Sequence, residues 1–118
     1  MAEGTTGCSQ VQTTASSREE AERIATALLE ARLAACVQVV GPIESRYWWE
    51  GRLETSTEWL CLAKTTDDRL EEVVATVKVA HSYDTPEVIA LPVTAGSARY
   101  LQWVADVVVG DEEEPSGP

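Results

Sequence analysis

The side chains best equipped for chemistry fall in one short stretch, His81-Ser82-Tyr83-Asp84-Thr85-Pro86-Glu87. His81 is the only histidine. An imidazole serves near neutrality as a borderline-soft metal ligand or as a general base. A histidine and a carboxylate can bind Zn²⁺ or Cu²⁺ together. His81, Glu87 and Glu58 are therefore the candidate metal ligands. A plainer role competes with this: a histidine at a helix C-terminus bonds free carbonyls and complements the dipole. Asp84 and Thr85, likewise, are residues that shape a turn before Pro86. One histidine cannot build a multi-histidine site unless several copies of the chain meet, so the functional question becomes one about oligomers.

Other groups extend the list. Lys64 ends a predicted strand and could hold a carboxylate or phosphate. Glu58 shares its strand face, because their spacing is even. Tyr47, Trp48 and Trp49 could line a ligand cleft, as Tyr83 could, although Trp and Tyr more often anchor protein interfaces. Trp48, Trp49, Trp59 and Trp103 are the candidate interface residues. Cys36 and Cys61 fall in apolar surroundings and read as inert core residues. Cys8 reads as more exposed, open to adventitious copper or oxidation. The three cysteines are odd in number and include no Cys-x-x-Cys pair, which excludes a zinc ribbon and a thioredoxin site. No nucleophile elbow or phosphate loop occurs. An enzyme would have little to work with, and none is expected.

The totals narrow the partners. A chain of 118 residues reads as one domain, here 8–109, with loose termini at 1–7 and 110–118. The formal charge is −11, to which Asp111, Glu112, Glu113 and Glu114 contribute, and no basic stripe exists. Nucleic acid is a poor partner, because binding it rests on Lys and Arg neutralising phosphates. An anionic membrane is excluded by the same argument. A cation is electrostatically plausible. There is no run of 18 apolar residues and no signal-peptide pattern, so a soluble cytoplasmic protein is expected.

The elements that must position these groups follow from periodicity. Cys8–Ala15 predicts a strand, with Val11 its only large apolar residue. Ser16 or Ser17 offers an N-cap, with Glu19 or Glu20 as capping-box partner. Ala21, Ile24, Ala25 and Leu28 recur at helical spacing, which predicts a helix over 18–34 that only Arg32 interrupts. Cys36–Trp49 and Arg52–Thr65 read as a long β-hairpin around Glu50-Gly51. Leu70, Val73, Val74 and Val77 mark a second helix ending near Ala80. Glu87–Thr94 is a last strand, and Tyr100, Leu101, Val104 and Val108 mark a third helix. The order β-α-β-β-α-β plus a C-terminal helix is the ferredoxin-like α+β pattern. In that sheet Pro42 and Pro92 fall on edge strands, where proline is tolerated. Gln10 and Gln12 fit poorly in a strand that the fold makes central.

Helices would cover one sheet face only, so the other should alternate toward polar residues. Trp59–Ala63 and Val88–Leu91 are instead apolar throughout. A neighbouring copy is the expected cover, each large side chain so buried contributing roughly 1.5–3 kcal/mol.

Five ordered motifs now point to one family. LAACV (Leu33–Val37), YWWEGRLE (Tyr47–Glu54), KTT (Lys64–Thr66), HSYDTPEVIALPV (His81–Val93) and YLQWV (Tyr100–Val104) resemble the CutA, or divalent-cation tolerance, proteins in order and spacing. The resemblance implies a ferredoxin-like homotrimer with extended hairpins wrapped between subunits, a cytoplasmic role and a link to Cu²⁺ and other divalent cations. It also implies that Lys64 faces a cleft between subunits. The trimeric plan is shared with PII signalling proteins, which opens an alternative: a small-molecule sensor holding an anion with Lys64 and the hairpin aromatics. This chain departs from the family pattern in Ser82, where His-Pro-Tyr is usual. It also has Thr13 where some members place a cysteine.

Overall fold

The computed structural model describes residues 5–108. Its elements are β1 (Cys8–Ala15), α1 (Arg18–Glu30), β2 (Cys36–Trp49), β3 (Arg52–Thr66), a 3₁₀ turn (Asp67–Arg69), α2 (Leu70–Ala80), β4 (Val88–Pro92) and α3 (Ala98–Val107). The four strands form one antiparallel sheet in the order β2-β3-β1-β4. Both prolines lie on edge strands, as the missing N–H requires. Of the segments expected to be loose, 1–4 and 110–118 lie outside the described residues, as does residue 109 of the expected domain. Thr6 and Gly7 are held: Thr6 bonds Val93 O through its N–H and its hydroxyl, and Gly7 O accepts from Asp67 N.

The core lies between the sheet and the two helices on one face. Ala21, Ile24 and Leu28 from α1 meet Val73 and Val77 from α2 over Val11, Ala15, Cys61 and Ala63. Helical spacing of 3–4 residues puts the first five on facing stripes, and strand alternation aims the rest at them. The same alternation accounts for Gln10 and Gln12. Val11, Thr13 and Ala15 point into the core, so the glutamines point to the opposite face, which α1 and α2 leave uncovered.

Helix α1 ends at Glu30, four residues short of the sequence expectation. Arg32 adopts φ 55°, and the chain closes with Leu33 N–H bonded to Leu28 O and Arg32 N–H bonded to Leu29 O. Those two bonds are the Schellman termination. Glycine usually fills its left-handed position, so arginine there left no sequence cue beyond its break in the apolar stripe.

The hairpin is long enough to set the longest dimension of the chain, 46 Å. Its tip, Glu50-Gly51, has φ 51° and 77°, the two positive values that a type I′ turn demands. Gly41 and Pro42, joined by a cis peptide, together oppose Trp59, a bulge between the Val40–Leu60 and Ile43–Glu58 pairs. A β-carbon at Gly41 would run into the Trp59 indole, so only glycine lets that ring lie across the strand.

Helix α3 covers one end of the second face. Cys8, Val104 and Val108 are buried there, with Leu101 and Trp103 packed beside them. Cys8 is therefore not the exposed thiol that its polar strand suggested. It is 5% exposed, its Sγ lies 3.9 Å from Leu101 O, and burial pushes its pKa up. Cys36 is the half-buried cysteine. Beyond α3 the face stays open. Val40, Ile89 and Leu91 are 46%, 46% and 44% exposed.

Candidate functional site

The loop between α2 and β4 carries the site, and α1 holds it in place. Ser17 caps α1 by accepting from Glu20 N–H at 3.1 Å. Glu20 turns its side chain inward, where it is 1% exposed. Its Oε1 accepts from the Ser16 N–H and hydroxyl, each at 3.0 Å, and its Oε2 accepts from Ser82 N–H at 2.7 Å. Burial alone would raise the pKa of this carboxyl. The hydrogen bonds from Ser82 and Ser16 outweigh it and hold the value at about 2. The capping signature in the sequence pointed to Glu20 as a cap partner, but nothing local indicated its tie to Ser82, 62 residues away.

His81 follows the last residue of α2 and its side chain is fully buried. Its Nδ1 accepts from Tyr83 N–H at 3.1 Å, which makes Nε2 the protonated nitrogen donating to Thr14 O at 2.6 Å. Glu20 Oε2 lies 3.8 Å from Nδ1. Both nitrogens are thus engaged, and the ring fastens the loop to β1.

The fastened loop presents Tyr83. Its ring tilts against His81 at 4.7 Å, and its hydroxyl donates to Glu58 Oε2 at 2.8 Å. Burial first, then the Glu58 carboxylate, push the phenol well above its ordinary pKa, so it stays a donor. Glu58 itself is 6% exposed.

Tyr83 and Glu58 line a cleft of about 550 Å³ between the loop and the outer half of the hairpin. Tyr47, Trp49, Ser45 and Arg46 line its hairpin wall, and Thr14, Asp84, Thr85 and Glu87 complete it. The Tyr47 hydroxyl is engaged with Ser56 Oγ at 2.6 Å, and Arg46 is paired with Glu44 at 2.7 Å. Gln12 Nε2 donates to Glu87 Oε2 at 3.5 Å, which gives one of the awkward glutamines a partner at the cleft edge.

Of the residues singled out in the sequence, the fold brings Glu58, Glu87, Tyr83, Tyr47 and Trp49 to this cleft. His81 lies behind it as a support. Lys64 is elsewhere: it donates to Gln38 Oε1 at 2.9 Å, six residues along β3 from Glu58 and so about 20 Å away. Trp48 is 70% exposed and pairs with Leu53 on the other side of the hairpin. Trp59 packs on the core and Trp103 on the α3 cluster, each half-buried. Among the described residues no group of three or more His, Cys, Asp or Glu side chains converges as a metal site. The described residues of one chain do not by themselves supply a complete set of metal ligands.

The sheet order, the helices on one face and the extended hairpin define an α+β protein of the ferredoxin-like class. Residues 9–107 match the family model described as CutA1 divalent ion tolerance protein. The chain belongs to this CutA family. It is 47% identical over 95 residues to the divalent-cation tolerance protein CutA of Archaeoglobus fulgidus, covering 80% of this chain and 92% of that protein. It is 44% identical over 94 residues to a chloroplastic CutA of Oryza sativa, covering 80% of this chain. The chain spans about half the length of that rice relative and of the chloroplastic one from Arabidopsis thaliana.

Among solved structures, it superposes on one described as the periplasmic divalent cation tolerance protein CutA from A. fulgidus. The TM-score is 0.83 at 44% identity, over 86% of this chain and 98% of that one. Rice CutA1 gives 0.84 at 40% identity, over 89% and 96%. Relatives described as chloroplastic and periplasmic show that the family is not confined to the cytoplasm. Among the described residues no helix is long and apolar enough to cross a membrane.

Proposed function

We propose that this chain forms a cytoplasmic homotrimer that takes part in divalent-cation tolerance, copper included, and binds metal weakly in clefts between subunits. Family membership supports the cation role. The observation that carries the assembly is the open sheet face, where Val40, Ile89 and Leu91 stay nearly half exposed beyond the reach of α3. Covering a patch of that kind is the ordinary role of a subunit interface. The hairpin is the natural arm for it, with Trp48, Trp49, Trp59 and Trp103 as contact residues.

In this reading Glu58 and Glu87 supply carboxylates to the metal, and a neighbouring copy completes the set that the described residues of one chain lack. His81 becomes a ligand only by giving up Thr14 O or the Tyr83 N–H, so its first role is to hold the loop. That same engagement argues against catalysis, because His81 is the only histidine available as a base. The anionic-sensor alternative is disfavoured, because Lys64 stands far from the cleft and the cleft walls are acidic.

Native mass spectrometry at micromolar protein tests the assembly: a trimer is expected, and a stable monomer overturns it. Calorimetric titration with Cu²⁺ tests the metal. Binding weakened in Glu58→Gln or Glu87→Gln supports the ligand assignment, and binding unchanged in both removes it.

A further inference from the structure

We infer that α3 is a strap over the second sheet face, latched from the opposite side of the sheet by Arg32. The inference is independent of the assembly and of the metal, because every contact it uses lies within one chain.

The strap is lightly held. Three of the described residues, Cys8, Val104 and Val108, are buried in the cluster beneath α3, against eleven in the main core. Its two ends are secured differently. At the front, Ser97 accepts from Tyr100 N–H at 3.4 Å, a cap drawn from the adjoining chain. At the back α3 offers nothing of the kind: its last turn carries no basic side chain and contains Asp106. The last carbonyls of a helix lack intrahelical donors and form its negative end, where an acid is unfavourable and a cation stabilises.

Arg32 supplies that cation from 75 positions away, its guanidinium donating to Val107 O at 3.3 Å. The link reaches from one layer to the other because the α1–β2 turn touches both. Leu33 and Ala34 are buried in the main core, while Ala35 packs on the cluster under α3.

The backbone of Arg32 points the same way. At φ 55° it occupies the left-handed region, where a β-carbon is penalised and glycine is the usual choice. A residue needed only to end α1 gains nothing there from a long cationic side chain. A residue that must also hold α3 does.

Hydrogen exchange and iodoacetamide labelling at pH 8 test the latch, both resolved by mass spectrometry on the full chain at one protein concentration. Arg32→Gly separates the two roles, because it relieves the backbone while deleting the cation. In this variant the α3 amides should exchange, and Cys8 should label, about tenfold faster than in wild type. Cys61, in the main core, should stay as protected as before. Arg32→Lys keeps a cation on a flexible stem and should restore most of the protection. If α3 and Cys8 are as well protected in Arg32→Gly as in wild type, ending α1 is the whole role of Arg32 and the inference is overturned. Equal acceleration at Cys8 and Cys61 would overturn it too, as would Arg32→Lys behaving like Arg32→Gly. Neither readout involves Cu²⁺ or particle mass, so the outcome stands apart from the tests of the proposed function.

Discussion

Replacing Glu20 with glutamine should remove most of the acid sensitivity that the site loop confers on folding. The carboxyl falls from 4.5 to about 2 on folding. At 1.36 kcal/mol per unit, this corresponds to about 3 kcal/mol of stability at neutral pH. The folded-state value is depressed, so the contribution is complete above about pH 4.5 and is lost as the pH falls toward 2. Glutamine keeps one oxygen, which can serve either Ser16 or Ser82 but not both. Its amide group then faces an N–H donor. Glu20→Gln should therefore be less stable than wild type by about 2–3 kcal/mol at pH 7, and by under about 1 kcal/mol at pH 2. Urea unfolding followed by tryptophan fluorescence, at one fixed protein concentration, measures both curves. Concentration must be fixed because subunit assembly shifts apparent stability. A wild-type-minus-variant difference that stays constant from pH 7 to pH 2 would refute the assignment of this carboxylate as the loop anchor.

Three further outcomes are expected. Gly41→Ala drives a β-carbon into Trp59 and should destabilise by about 1–3 kcal/mol, with much of the loss recovered in Gly41→Ala/Trp59→Leu. Thr13 Oγ1 is buried without a hydrogen-bond partner among the described residues, so Thr13→Val should raise the unfolding free energy by about 1 kcal/mol. Burial, reinforced by the Glu20 charge, raises the Cys61 thiol to about 11, and it is 1% exposed. Iodoacetamide at pH 8, read by mass spectrometry, should label Cys36 first and leave Cys61 untouched until the chain unfolds.

The fold was legible because its signals are local and periodic. Ile24 to Leu28 and Val73 to Val77 announce helix faces, Glu50-Gly51 announces a tight turn, and Pro42 and Pro92 mark edges. Where expectation and structure part, a tertiary contact had replaced a local preference. Arg32 closes α1 in a left-handed conformation that glycine would have advertised. Cys8 looked exposed in a polar strand, yet α3, which begins 90 residues later, folds over it.

The candidate site divides the same way. Sequence alone placed Tyr83, Glu87 and Glu58 among the functional groups and identified the hairpin aromatics, because residue types and family motifs survive without coordinates. It also fixed the acidity, which sets what the surface attracts. Only the folded chain decided that His81 fastens the loop rather than facing the cleft, that Glu20 joins it from α1, and that Lys64 stands apart. The first two outcomes depend on hydrogen bonds between residues more than 60 positions apart, and the third on where along β3 the loop packs. The linear order of a chain carries residue chemistry, whereas convergence is set by how its sheet and helices pack.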